Sequence, residues 1–219
     1  MRISFKYLAY LFVFIASSWA HAGSYEDFFI AVTQDNPRPI KALLNRGFDP
    51  NTLSPQGLPG LYLALRDGSL KVANTLIDSP KTNVEIRTVK DESPVMIAAL
   101  KGHLELVKKL IARGADVNKT GWAPLHYAAT GGHLAIMQLL LDENAYIDAE
   151  SPNGTTPLMM AAHYGTPAAV KLLLEAGADP SLKNQLGLTA IDFATRAHRE
   201  DSVEMIAASL RAAKPKGTW

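Results

Sequence analysis

Two short phrases recur in register along this 219-residue chain, and they decide what it can fold into. The first reads Ser93-Pro94-Val95-Met96-Ile97-Ala98-Ala99, then Ala123-Pro124-Leu125-His126-Tyr127-Ala128-Ala129, then Thr156-Pro157-Leu158-Met159-Met160-Ala161-Ala162. The second follows 20 residues after each proline: Gly114-Ala115-Asp116-Val117-Asn118, Asn144-Ala145-Tyr146-Ile147-Asp148 and Gly177-Ala178-Asp179-Pro180-Ser181. Self-similarity at this period means stacked units, each too small to bury its own apolar face. A chain built this way works through surfaces rather than through a deep pocket.

With the proline as anchor, the equivalent positions are Asp27, Gly60, Pro94, Pro124, Pro157 and Ala190, spaced 33, 34, 30, 33 and 33 residues apart. The pattern resembles the ankyrin repeat, over roughly Ser24 to Ala213. The three central units carry both phrases; those around Gly60 and Ala190 are worn, and the unit at Asp27 rests on Gly47-Phe48-Asp49-Pro50-Asn51. The resemblance implies an all-α ankyrin-repeat solenoid of about six helix-turn-helix units with short β-hairpin loops. The units run over residues 23–53, 54–87, 88–119, 120–150, 151–183 and 184–213, with a tail at 214–219.

Residues 1–22 read differently. Arg2 and Lys6 precede the apolar run Leu8 to Ala16, and Ala20-His21-Ala22 supplies small residues before Gly23. That order is a secretory signal peptide with its expected cut after Ala22. The apolar run is short of the ~20 residues a spanning helix needs, so no membrane attachment is expected after cleavage. The chain has no cysteine, which excludes disulfides and thiolate chemistry and suits an oxidising compartment. These features point to a periplasm. Without Arg2 and Lys6 the balance is 20 basic to 21 acidic side chains, a net charge of −1. That lacks the electrostatic footprint of a nucleic-acid binder.

Within a unit the residue choices follow from helix chemistry. Thr156 caps a first helix that holds Pro157 in its first turn, where a missing N–H costs nothing. Gly165 ends that helix, and Thr166-Pro167 repeats the cap and proline for the second. Gly177 is a left-handed stop, with Gly47 and Gly114 as equivalents and Asn144 as the next most tolerant residue. Ser79-Pro80-Lys81 carries one extra residue and predicts a distorted turn. Three residues are missing between Asn118 and Trp122, which predicts a stubby loop there. Polar residues in the first and last units, such as Arg38, Lys41, Glu200 and Arg211, read as caps of a finished stack.

Reactive chemistry is sparse. Ser54, Ser69, Ser93 and Ser151 fall in turns and caps, and no Gly-x-Ser-x-Gly elbow, phosphate loop or dinucleotide fingerprint occurs. His126, His103 and His133 occupy positions where the family uses histidine structurally. His163 and His198 are off-pattern, and a hydrolase built on one of them is the enzymatic alternative. No set of histidines and carboxylates has metal-ligand spacing. No catalytic residue, metal or cofactor is therefore expected.

Recognition remains. The resemblance implies a protein partner lying against loop tips and the concave first-helix face. By register the tips supply Leu58, Lys90, Glu92, Trp122, Asn153, Leu186 and Leu188. The first helices supply Arg66, Asp67, Lys101, Thr130, His163, Tyr164 and Arg196. Trp, Tyr and Arg are the types enriched at interface hot spots. The expected function is a non-enzymatic protein-binding module of the periplasm, monomeric by itself. It would serve as an accessory or stabilising factor of an exported enzyme, for instance one tied to oxidative stress. The alternative is an immunity or inhibitor protein that neutralises a toxin acting in the periplasm.

Overall fold

The computed structural model describes residues 23–213; the leader read over Met1–Ala22 and the tail from Lys214 lie outside the described residues. The chain divides into two compact units, one ending at Asn83 and one beginning at Val84.

The first unit holds α1 (residues 23–33), α2 (Pro37–Asn45), α3 (Gly60–Asp67) and α4 (Leu70–Asp78). Asn36 caps α2 by accepting the Arg38 N–H, with Pro37 in the first turn. Phe28 is fully buried with its ring 4.9 Å from that of Phe48. Glycine replaces proline at position 60 because Phe28 lies there: a Cβ would meet Phe28 Cζ at 2.6 Å. The extra residue after α4 distorts the exit as the sequence predicts. Ser79 is extended (φ −75°, ψ 123°) where its counterparts Arg46, Arg113, Glu143 and Ala176 keep ψ near zero, and Pro80 takes the place of the left-handed residue.

The second unit holds α5 (Pro94–Leu100), α6 (Leu104–Ala112), α7 (Pro124–Gly131), α8 (Leu134–Asp142), α9 (Pro157–His163), α10 (Pro167–Glu175), α11 (Ala190–Arg196) and α12 (Glu200–Ala213). First helices pack in the order α5, α7, α9, α11, and second helices in the order α6, α8, α10, α12, giving two layers. The pairs Ala98-Ala99, Ala128-Ala129 and Ala161-Ala162 are wholly buried between the layers. Leu125, Leu158, Leu110, Leu140 and Leu173 fill the space they leave.

Each first helix of the second unit begins with the same device. The N–H of the residue before the helix donates back to the side chain three residues on: Ser93 to Met96 Sδ (3.3 Å), Ala123 to His126 Nδ1 (3.1 Å), Thr156 to Met159 Sδ (3.5 Å) and Thr189 to Asp192 Oδ2 (2.8 Å). The acceptor changes from unit to unit while the geometry holds. Thr156 and Thr166 also cap as expected, accepting from Met159 N and Ala169 N.

The left-handed stops are Gly47, Gly114 and Gly177 (φ 89°, 88° and 99°), and Asn144 adopts φ 63° in their place. Gly165 differs from the expectation that it merely ends a helix. Its register partners Gly68, Gly102, Gly132, Asp35 and His198 all have positive φ, and Gly165 does not. Glycine is needed there for space. A Cβ would overlap the Ala129 carbonyl oxygen of the neighbouring helix and meet the Ala161 oxygen at 2.8 Å.

The loops between units turn without strands among the described residues, where short hairpins were expected; one isolated bridge joins Leu53 and Pro59. A five-residue turn replaces the ladder. Its first residue donates its N–H to the carbonyl of the fifth, as Ser54 does to Leu58 (2.9 Å), Thr88 to Glu92 (3.0 Å), Ser151 to Thr155 (3.0 Å) and Asn184 to Leu188 (3.0 Å). The side-chain oxygen of that first residue accepts the fifth residue's N–H in return. A left-handed residue, Gly57, Asp91, Gly154 or Gly187, completes each turn. Side chains thus satisfy the donors that cross-strand rungs would otherwise take.

Candidate partner-binding surface

The first compact unit carries Leu58, Arg66 and Asp67; the remaining predicted residues belong to the second. Arg66 and Asp67 pair with each other, Nε to Oδ1 at 2.6 Å and Nη2 to Oδ2 at 2.9 Å. The Asp67 hydrogen bond holds the Arg66 guanidinium above its ordinary pKa. The pair is well exposed, and such pairs add little to stability.

On the second unit, Lys90, Lys101, Asn153, Tyr164, Leu186 and Arg196 are exposed. Leu186 is 76% exposed and Tyr164 57%, both high for such side chains. Leu58 and Leu188 were expected as exposed tip leucines and are instead half-buried. Each is the fifth residue of its turn, tied back by two hydrogen bonds, so the chain heads inward there. Asn153 is exposed, but its Oδ1 accepts from the Ser151 hydroxyl at 2.6 Å and its carbonyl accepts from Gln185 N–H at 2.9 Å.

His163 does not stand free toward a groove. Its Nδ1 bonds the Phe193 carbonyl oxygen at 3.2 Å, its own carbonyl accepts from Arg199 Nε at 2.9 Å, and its ring meets Tyr164 edge-on at 4.3 Å. His198 is exposed and holds the left-handed position after α11 (φ 54°).

The centre of the surface lies around α7. His126 is fully buried. The Ala123 N–H donates to Nδ1, so the proton sits on Nε2, which donates to the Thr155 carbonyl at 2.9 Å. Burial pushes this imidazole down to about 4 and keeps it neutral. Trp122 stacks edge-on upon it, ring centroids 5.3 Å apart. Trp122, His126, Tyr127 and Thr130, with Leu100 from α5 and Met160 from α9, line a recess of about 230 Å³. Tyr127 and Met160 were not foreseen; both occupy first-helix positions that register alone leaves ambiguous between core and surface. The hydroxyls and the imidazole around the recess are engaged within the protein. The Thr130 hydroxyl donates to the His126 carbonyl (2.8 Å), and the Tyr127 hydroxyl donates to Glu92 Oε1 (3.3 Å).

Two further apolar side chains are exposed. Val89, at a tip, is 88% exposed; Tyr146, beyond α8, is 68% exposed. Tyr146 sits where the other units have Asp116 and Asp179, a substitution visible in the sequence but not singled out there. Among the described residues no group of three or more His, Asp or Glu is placed to hold a metal ion. No described helix is long and apolar enough to cross a membrane.

Paired helices joined by side-chain-closed turns, with an apolar recess on the first-helix side, define a repeat scaffold of the protein-binding kind. The family comparison agrees: the model for ankyrin repeats (3 copies) matches residues 28–120, 61–151 and 143–216. The chain belongs to the ankyrin repeat family, whose members mediate protein–protein interaction.

Among curated relatives, it is 30% identical over 162 residues to the B-cell lymphoma 3 protein homolog of Mus musculus, covering 71% of this chain and 36% of that one. It is 28% identical over 181 residues to an ankyrin repeat-containing protein of Treponema pallidum (strain Nichols), covering 78% and 58%. The chain therefore spans less than two thirds of these relatives' lengths. Among solved structures, it resembles a chain from the complex of a predatory endopeptidase of Bdellovibrio bacteriovorus with an immunity protein. The TM-score is 0.70 at 27% identity, covering 83% of this chain and 96% of that one.

Proposed function

We propose that this chain is a non-enzymatic module that binds one protein partner in the periplasm, reached through a leader cleaved after Ala22. The observation that carries the reading is the recess on α5, α7 and α9, whose hydroxyls and imidazole are already bonded internally. Such a surface offers shape and apolar area and no group free for acid–base or nucleophilic work. The binding face comprises Trp122, Thr130, Tyr164, Leu186, Lys90, Lys101 and Arg196 on the second unit, with Arg66 and Asp67 as a separate patch on the first. Preformed helices and closed turns present these side chains with little ordering cost.

Of the two roles the sequence leaves open, the immunity or inhibitor role is favoured. The solved relative comes from a complex that joins an endopeptidase to an immunity protein, and nearly all of the matched chain is covered. An exported peptidase is then the partner class. The test is recovery of the tagged chain, leader included, from the source periplasm, beside a sample carrying Trp122→Ala and Tyr164→Ala. The reading expects one protein held by the first sample and lost from the second at equal helical content. Added in stoichiometric amount, the chain should silence that protein's peptidase activity. A bound enzyme left active and longer-lived would point to the accessory role. No specific partner, or equal recovery from both samples, would sink the proposal.

A further inference from the structure

Resting on that reading, we infer that the recess on α7 takes a single aliphatic or aromatic side chain from a partner segment flanked by carboxylates. Size gives the first argument. Its volume of about 230 Å³ falls below the roughly 300–1,000 Å³ of small-molecule sites, which suits one anchoring side chain rather than a free ligand. Chemistry gives the second. His126 has both ring nitrogens engaged, and the Thr130 and Tyr127 hydroxyls already spend their protons within the protein, so an occupant bearing acceptors finds none of these donors free.

Charge gives the third. Lys101 follows Leu100 directly at the mouth, and Lys90 stands on the tip that Glu92 holds against Tyr127. Both lysines are exposed. The carboxylates nearby are committed: Asp91 to Lys119 and Arg87, Glu92 to the Tyr127 and Thr88 hydroxyls. Arg87 is held chiefly by Glu85 at 2.7 Å, so Arg87, Lys90, Lys101 and Lys119 against Glu85, Asp91 and Glu92 leave one positive charge, presented by the exposed Lys90 and Lys101. A partner segment with acidic residues beside its anchor complements it.

The test places p-benzoylphenylalanine at position 101 of the full chain, and separately at position 186 on a remote tip, and cross-links in the source periplasm. Mass spectrometry then maps the partner segment captured from each position. The inference expects position 101 to capture a segment with an aliphatic or aromatic residue between carboxylates. Thr130→Trp, which fills the recess, should weaken binding roughly tenfold or more, as loss of a hot-spot anchor does. Lys101→Glu, a change on an exposed side chain, should weaken it roughly threefold to tenfold, less so at high salt. A basic or wholly polar segment at position 101, or cross-links at 186 alone, would overturn the inference and leave the proposed function standing. No cross-link from either position would overturn both.

Discussion

His126 makes the stability of this protein depend on pH between the folded and unfolded titrations of its ring. The folded ring titrates at about 4 because burial disfavours its charged form, whereas an unfolded histidine titrates near 6.5. Between those values the unfolded chain binds more protons than the folded one. Stability is therefore complete above pH 6.5 and falls as the pH drops toward 4. From these two pKa values the loss is about 2 kcal/mol at pH 5 and about 3 kcal/mol at pH 4. Protonation would also turn Nδ1 into a donor facing the Ala123 N–H, leaving that N–H without its acceptor. Asp91, Asp179 and Asp192 have lowered pKa values from their hydrogen bonds, so their contribution is lost only below the ordinary carboxylate range. Asp148 is raised by burial and works in the opposite sense. Urea unfolding at pH 8, 6, 5 and 4.5, with His126→Gln alongside, isolates the ring. The wild type should lose midpoint steadily below pH 6.5, and the variant should start lower and stay flat to pH 5. An equal slope in both proteins, or an NMR midpoint for the His126 ring near 6.5, would refute the reasoning.

Other changes test the packing and the leader. Gly165→Ala should cost about 1–3 kcal/mol by driving a methyl group into the Ala129 carbonyl, seen as a lowered denaturation midpoint. Gly177→Ala meets nothing within 4 Å, so its cost should be only the about 1–2 kcal/mol of a left-handed alanine. Asn144→Gly should raise stability slightly by relieving its φ of 63°, measured in the same assay. The exported protein, recovered from the periplasm and weighed intact, should begin at Gly23; an unprocessed mass would refute cleavage after Ala22.

The repeating parts of the fold were legible because they obey local rules. The cap-and-proline starts at Thr156 and Thr166, the stops at Gly114 and Gly177, and the substitute at Asn144 each answer a backbone need that one residue type meets best. The structural place of His126 followed from its phrase. Other features depend on neighbours rather than on local pattern. The role of Gly165 is set by the carbonyl of Ala129 in another helix, which no single unit discloses. Leu58 and Leu188 look like Leu186 in the sequence, and only the closure of the turn decides which leucine faces water. Met96, Met159 and Asp192 do the work of His126 at the helix start with different atoms, so the shared role is hidden by the change of residue. Tyr127 and Met160 became visible as recess walls only once α5, α7 and α9 were set side by side.

The recess lies where the repeat is shortened. Three residues fewer between Asn118 and Trp122 leave no room for the five-residue turn that closes the tips at Ser54, Thr88, Ser151 and Asn184. The chain instead passes through Gly121 at φ 80°, beside Pro152 of the next tip, and sets Trp122 down on His126. The omission thus brings an indole to the surface and opens the space between the neighbouring tips. Restoring the length should reverse both effects. Inserting three residues after Thr120, patterned on Ser151 to Thr155, should close a full turn over the recess. Stability should hold or rise, because the inserted hydroxyl satisfies its own turn, while partner binding through α7 should fall by roughly tenfold or more, as when a hot spot is covered. An insertion variant that folds and still binds at full strength would show that the missing residues are an incidental deletion and that recognition lies elsewhere on the face.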